Sequence, residues 1–317
     1  MRPAARIAAF AALLMVVLAG AALAGSRANP DVDESSEHET EDNMQMADTH
    51  TENAGGAEAG SHGADGGSHG ATASGGALPG LAVTQGGFTL ALERTSFAAG
   101  RPEQLRFRIT DGAGATVRDF DVEHERRMHL IVVRRDFAGF QHLHPSQEED
   151  GSWSVDIPGL EPGVHRVFAD FSSGGTSVTP ATDVFVPGGF APEELPEPAL
   201  VADAGDGYSV AIDSGDLHAG ETVPVRFTVS HEGKQLDGVE PYLGADGHLV
   251  ALREGDQAFL HTHPEGKAGG SGPIAFDVEY PSAGRYRLFL QFRHGGEVRT
   301  AEFTQVVEPA DSHGGPQ

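Results

Sequence analysis

The sequence predicts an all-β protein: two tandem immunoglobulin-like antiparallel β-sandwich domains after a signal peptide and a disordered tail. Three observations carry this. One long stretch occurs twice, short apolar runs alternate with polar residues, and Gly, Pro and Asp punctuate those runs with no long helical period. The repeated stretch is Met128 to Pro145, MHLIVVRRDFAGFQHLHP, matched by Gly247 to Pro264, GHLVALREGDQAFLHTHP. A gapless shift of 119 places His129 on His248, Phe140 on Phe259, His142 on His261, His144 on His263 and Pro145 on Pro264. Three histidines and a proline recurring at one spacing mark two copies of one domain.

The first segment reads as an export signal. Arg2 and Arg6 precede the apolar run Ile7 to Leu18, which leads to the small-residue site Ala22-Leu23-Ala24. That pattern predicts a signal peptide over residues 1–24, cleaved after Ala24. Left uncleaved, Ile7 to Ala24 approaches spanning length and would anchor the chain. Either way the protein is expected outside the cytoplasm: secreted, periplasmic or at the cell surface. The chain has no cysteine, hence no lipobox, disulfide framework or thiolate metal site. Its net charge of -26 excludes a nucleic-acid partner, whose phosphates require clustered Lys and Arg.

Residues 25–80 form a linker rich in acids, glycine and histidine. Asp31 to Asp42 is a carboxylate run, and Ala54 to Ala77 is mostly Gly, Ala and Ser. So few large apolar residues leave ordering entropy without compensation, and disorder is expected. His38, His50, His62 and His69, with Met44 and Met46, make a loose metal-scavenging tether conceivable. A solvated spacer is the preferred reading, because chelation by a flexible tail costs chain entropy.

The first domain is predicted over residues 81–187. Phe88 to Glu93 alternates, and Gln104 to Thr110 puts Leu105, Phe107 and Ile109 on one face. Met128 to Val133 is almost continuously apolar, and Phe140 to His144 follows a turn. Ser152 to Ile157 aligns Trp153, Val155 and Ile157; Val164 to Phe171 and Asp183 to Val186 complete seven strands. A proline-stiffened linker, residues 188–199, limits relative motion without setting an angle. The second domain, residues 200–308, repeats the order: Tyr208 to Ile212, then Val225, Phe227 and Val229, then Gly284 to Phe289 matching Gly163 to Phe168. Residues 309–317 read as a frayed, disordered end.

The repeated stretch carries the chemistry. Side chains alternate along a strand, so His142 and His144 share a face, as do His261 and His263. If Arg135 to Phe140 closes a hairpin, Val133 sits opposite His142 and Ile131 opposite His144. His129 then lies on the same face, diagonal to His144. The same geometry would join His248 to His261 and His263. Three neutral imidazoles with an open position suit Zn(II) or Cu(II). Met128, the only methionine after the tail, turns to the opposite face, which disfavours a Cu(I) thioether site. Near pH 6 and below, such rings would protonate and release metal. The competing account is structural. Ile131 and Val133 share the histidine face, which makes it a packed interior with rings bonded to backbone carbonyls. His124 and His165 have no counterparts, since Leu243 and Tyr286 stand there, and read as incidental.

These features resemble a group of bacterial exported tandem β-sandwich proteins, loosely described as heavy-metal-associated. Their layout is similar to that of small periplasmic copper carriers of the CopC and YtkA-like type. The resemblance covers about residues 81–308 and is specific only in the two histidine stretches. It implies an immunoglobulin-like fold and a metal role outside the cytoplasm. The chain departs from those carriers in lacking an N-terminal histidine or a methionine-rich loop in its folded part.

Three functions compete. The first is a metal-binding module for Cu(II) or Zn(II), with a trio in each repeat and a membrane transporter or cell-surface protein as partner. The second is a tandem immunoglobulin-like interaction or structural module whose histidines serve the fold. The third, least favoured, is a metalloenzyme. His142 and His144 with Glu148 and His165 resemble a cupin ligand set, and the H-x-H resembles that of copper-zinc superoxide dismutase. The second copy lacks equivalents of Glu148 and His165, and no Ser-His-Asp or phosphate-loop signature is present. The expected protein is therefore not an enzyme.

Overall fold

The structure is a computed structural model, and it describes residues 78–260, 262–266 and 268–310. The predicted signal peptide, nearly all of the predicted tail, His261 and residues 311–317 lie outside the described residues.

Every strand among the described residues is antiparallel to its sheet neighbours. The first repeat contains β1 (Thr84–Gln85), β2 (Phe88–Leu92), β3 (Glu103–Thr110), β4 (His129–Arg134), β5 (Gln141–Leu143), β6 (Ser146–Gln147), β7 (Trp153–Ile157), β8 (Gly163–Ser173), β9 (Thr176–Val178) and β10 (Ala181–Val186). The second contains β11 (Val201–Asp203), β12 (Tyr208–Asp213), β13 (Glu221–His231), β14 (Lys234–Gln235), β15 (His248–Arg253), β16 (Phe259–Leu260), β17 (Thr262–Pro264), β18 (Ile274–Tyr280), β19 (Gly284–His294) and β20 (Glu297–Val307). The first sandwich pairs sheet β1-β2-β3-β7-β6 with sheet β10-β8-β4-β5. The second pairs β11-β12-β13-β18-β17 with β16-β15-β19-β20. The all-β tandem sandwich read from the sequence is the observed fold.

Alternation fills each interior. Leu105, Phe107 and Ile109 are buried together with Trp153 and Ile157 in the first core. Val225, Phe227 and Val229 occupy the matching place in the second. β4 is buried along its whole length, on both faces. Leu130 and Val132 point into their own sandwich, whereas Ile131 and Val133 point out of it, into a third cluster with Phe168, Val250, Leu252, Phe259 and Phe289. A strand covered on both sides needs an almost unbroken apolar run, which explains HLIVV.

That third cluster joins the repeats. Phe140 lies on Phe289 with ring centroids 4.0 Å apart and planes 7° apart, and Phe259 meets Phe168 at 5.7 Å. Since Phe140 and Phe168 correspond to Phe259 and Phe289, each repeat offers the other the same patch, as in a two-fold dimer. Polar contacts fix the edge: Gln257 Nε2 donates to the Arg134 carbonyl at 2.9 Å and Arg135 to the Asp256 carbonyl at 3.2 Å. The linker is tied down as well. Arg134 bonds Glu193, and Arg285 donates to the Leu195 and Pro196 carbonyls. The relative placement of the sandwiches is thus set by face packing, which the proline linker alone did not reveal.

The β4–β5 hairpin differs from the predicted register by two residues: Ile131 opposes His142, and Val132 opposes Gln141. Arg134 N–H donates to the Ala138 carbonyl, and Phe137 and Gly139 take φ of 70° and 66°, so the turn closes more tightly than expected and uses two fewer residues. An even shift leaves every side chain on its predicted face.

The lead-in to β1 also crosses the junction: the Pro79 carbonyl accepts from Phe259 N–H, and the Gly80 carbonyl from Arg166. Gly80 has φ +76°, and a Cβ there would sit 2.7 Å from the Phe168 ring and 2.9 Å from Phe259 Cβ. Gly80→Ala is therefore expected to destabilise the protein by about 1–3 kcal/mol, through backbone strain and overpacking. Urea unfolding measures it; an unchanged midpoint would show that the lead-in does not pack at this junction.

Candidate metal centre at the junction of the two sandwiches

The apolar junction ends in a cluster of imidazoles. His129 opens β4, His142 lies on β5, and His144 follows as the chain leaves for the other sheet. Their ligand atoms all lie within 4.8 Å of one another. Ring centroids are 5.2 Å apart for His129 and His142, 5.1 Å for His129 and His144, and 4.7 Å for His142 and His144. His248, the first residue of β15, brings its ring to 4.4 Å from His142 and 5.3 Å from His129.

Hydrogen bonding constrains the tautomers. His129 Nε2 faces the Glu123 carbonyl at 3.2 Å, and His142 Nδ1 faces Gln291 Oε1 at 2.8 Å. Both oxygens are acceptors, so both of these nitrogens carry the hydrogen. The remaining nitrogens, His129 Nδ1 and His142 Nε2, face each other at 3.0 Å. Neutral rings then direct two lone pairs at one another. Three contacts need three hydrogens and two neutral imidazoles supply two, so a cation near this pair would resolve the conflict. His144 Nε2 adds a further buried nitrogen with no hydrogen-bond partner. Outer nitrogens held by carbonyls and inner nitrogens converging is the arrangement metal-bound histidines adopt. Turning the Gln291 amide end for end would supply the third hydrogen. It would also replace the present Nε2 donation to Thr300 Oγ1 at 3.3 Å and turn the nitrogen toward the Tyr242 hydroxyl.

The environment keeps the rings neutral. Burial, reinforced by the neighbouring imidazoles, pushes His142 down to about 3. Burial, His129 and Arg126 push His144 down to about 4. Burial also lowers His129, against the pull of Asp170, and holds His248 well below the ordinary histidine value. Neutral imidazole is the ligating form, so protonation competes for these nitrogens at lower pH than the value near 6 expected from an unperturbed ring.

The second repeat does not build a matching trio among the described residues. Its β16 ends at Leu260, and the chain has already joined the opposite sheet at Thr262, where β17 pairs with β18. In the first repeat the corresponding strand stays beside β4 through Leu143. His263 is consequently exposed on β17, opposite Asp277 and in the other sheet from His248. The predicted common face of His248 and His263 is thus corrected by an early sheet switch. His248 instead joins the first repeat's cluster. His124, read as incidental, stands near it too, with its ring 6.1 Å from His129 and 5.9 Å from His248. Gln291 was not foreseen; its signal was the alignment of Gly284-Arg285-Tyr286 with Gly163-Val164-His165, which places it on Asp170, opposite the strand-opening histidine in each repeat.

The cupin-like set does not converge. His165 pairs with Arg134 across β4–β8, on the face opposite His129, and lines a separate small cavity with Arg134, Gln141 and Glu193. Glu148 accepts from the Ser154 hydroxyl at 2.7 Å.

The chain belongs to the family described as Domain of unknown function (DUF8832), matched twice, over residues 82–188 and 202–309. This match supports the tandem repeat and is silent on metals. Similarity to solved structures is distant. The Escherichia coli adhesin FdeC is 15% identical with a TM-score of 0.25, over 73% of this chain and 66% of that one. Yersinia pseudotuberculosis InvD is 12% identical with a TM-score of 0.25, over 74% and 62%. A Salmonella alpha-2-macroglobulin mutant is 15% identical with a TM-score of 0.26, over 76% of this chain and only 16% of that one. The chain therefore spans less than two thirds of each of these proteins. No curated protein matches it.

The lowered histidine values set a pH dependence. Unfolded histidines titrate near 6.5, whereas folded His142 and His144 titrate at about 3 and about 4. Between those limits the unfolded chain binds more protons, so stability is complete above about pH 6.5 and is lost as pH falls. In chelator, urea midpoints are expected to drop between pH 7 and pH 5, by up to about 1.4 kcal/mol per pH unit for each such histidine. His142→Gln should flatten that slope. A wild-type midpoint constant over this range would contradict neutral burial of the rings.

Proposed function

We propose that the protein binds one Cu(II) or Zn(II) ion outside the cytoplasm, at His129, His142 and His144. The observation that carries this reading is the 3.0 Å approach of His129 Nδ1 and His142 Nε2, whose outer partners leave both as acceptors. An ion about 2.0–2.1 Å from each nitrogen replaces that conflict with two bonds. The nitrogens need to separate by only a few tenths of an ångström to reach tetrahedral spacing. The donor set is all nitrogen, without thiolate or thioether, which suits either ion and disfavours Cu(I). Binding is the proposed activity, with a membrane transporter or cell-surface protein as source or recipient of the ion. The sequence pattern of residues 1–24 supports an exported location.

A second reading is a tandem immunoglobulin-like interaction module whose histidines support the fold. It is favoured by the apolar junction, which buries Ile131, Val133, Val250 and Leu252 between the two sandwiches. In that reading Gln291 turns its amide nitrogen to His142 and closes the hydrogen-bond chain.

Metal analysis of protein purified without a histidine tag separates the two. About one ion per chain is expected, lost in His142→Ala and in His144→Ala, and retained in His263→Ala. Gln291→Leu, which removes the acceptor that orients His142, should weaken binding by roughly 10–100-fold. Absence of bound metal after loading with Zn(II) and Cu(II) would leave the interaction module.

A further inference from the structure

We infer that the ion is a joint between the repeats: His248 of the second sandwich is its fourth ligand, and metal binding is coupled to docking of the two sandwiches. The inference rests on the metal-binding reading above. Metal–nitrogen bonds of ~2.0–2.1 Å in a tetrahedral site place imidazole centroids about 5 Å apart. The three first-repeat rings already show 4.7–5.2 Å, and His248 stands 4.4 Å from His142 and 5.3 Å from His129. His124 is more distant and exposed, outside that spacing. As it stands, His248 does not belong to the trio with mutually close ligand atoms, so ligation turns its ring.

The second sandwich delivers its contribution through one cross-strand pair, His248 opposite Gln291. Gln291 Oε1 holds His142 Nδ1 at 2.8 Å, across 149 residues of sequence, while His248 brings the additional imidazole. The complete site therefore exists only when the sandwiches are docked. A ligand that binds only the docked state stabilises docking, and its apparent affinity falls in proportion to the docked fraction.

The test uses the chain from residue 25 onward, in wild-type form and as His248→Ala, His248→Gln and Phe140→Ala. Phe140→Ala removes the stack on Phe289 without touching an imidazole. Zn(II) affinity is measured by competition with a chromophoric chelator, the ligand field by the visible spectrum of the Co(II) form, and docking by the rate of proteolysis in the 188–199 linker. His248→Ala and His248→Gln are expected to keep one ion, lose about tenfold or more in affinity and change the Co(II) spectrum. Phe140→Ala should also weaken Zn(II), and Zn(II) should slow linker cleavage in wild type but not in His248→Ala. Wild-type affinity, spectrum and cleavage in the variants would overturn the joint and leave a one-domain metal site. A wild-type chain that binds no ion would overturn the metal-binding reading and the joint together.

Discussion

The packing of β4 and β8 against β15 and β19 is the constraint on which the rest of the structure depends. Without it Ile131, Val133 and Phe168 would form an exposed apolar face, as would Val250, Leu252 and Phe289. Fully burying a side chain of this size contributes about 1.5–3 kcal/mol, so separating the sandwiches would be costly. The same packing brings two sequence-distant strand openings, at His129 and His248, to one place. His129, His142 and His144 come together within the first repeat, and docking adds His248 to them.

Burial also sets the character of the cluster. Imidazoles crowded at the edge of an apolar contact cannot all be charged, because desolvation and mutual repulsion both oppose the protonated forms. Neutral rings remain, each with one hydrogen and one lone pair. Backbone and amide oxygens claim the hydrogens of His129 and His142, so the lone pairs point inward. The cluster is thus short of hydrogens and uncharged, and those inward lone pairs are the electrostatic ground, beyond mere proximity, on which the proposed cation site rests.

Much of this was legible in the sequence. The alternation of Leu105, Phe107 and Ile109, and of Val225, Phe227 and Val229, fixed strands and inward faces because one buried side per strand leaves a period of two. The face shared by His129, His142 and His144 was readable for the same reason, and it survived a two-residue error in register. The docking was not readable as such, although HLIVV held the hint: a strand apolar on both faces needs a second covering layer. A packed interior stood in the sequence reading only as the competing account, and nothing in the sequence identified the second repeat as the cover.

The parting of His248 and His263 into different sheets bears on repeats generally. Matching histidines place a trio in each copy and leave open whether the copies bind separately or share one ion; separate sites rest on the premise that duplicated residues keep duplicated roles. A pseudo-two-fold junction breaks that premise, because it places corresponding residues of the copies beside each other. His129 and His248 then need not serve separate ions, since their rings stand 5.3 Å apart at a single place. Once one position gathers rings from both halves, His263 is released from the face of His248. The chain after Leu260 can then switch sheets early and leave His263 in solvent without cost to the cluster. Retention of a motif in both repeats thus reports on the shared surface as much as on either domain.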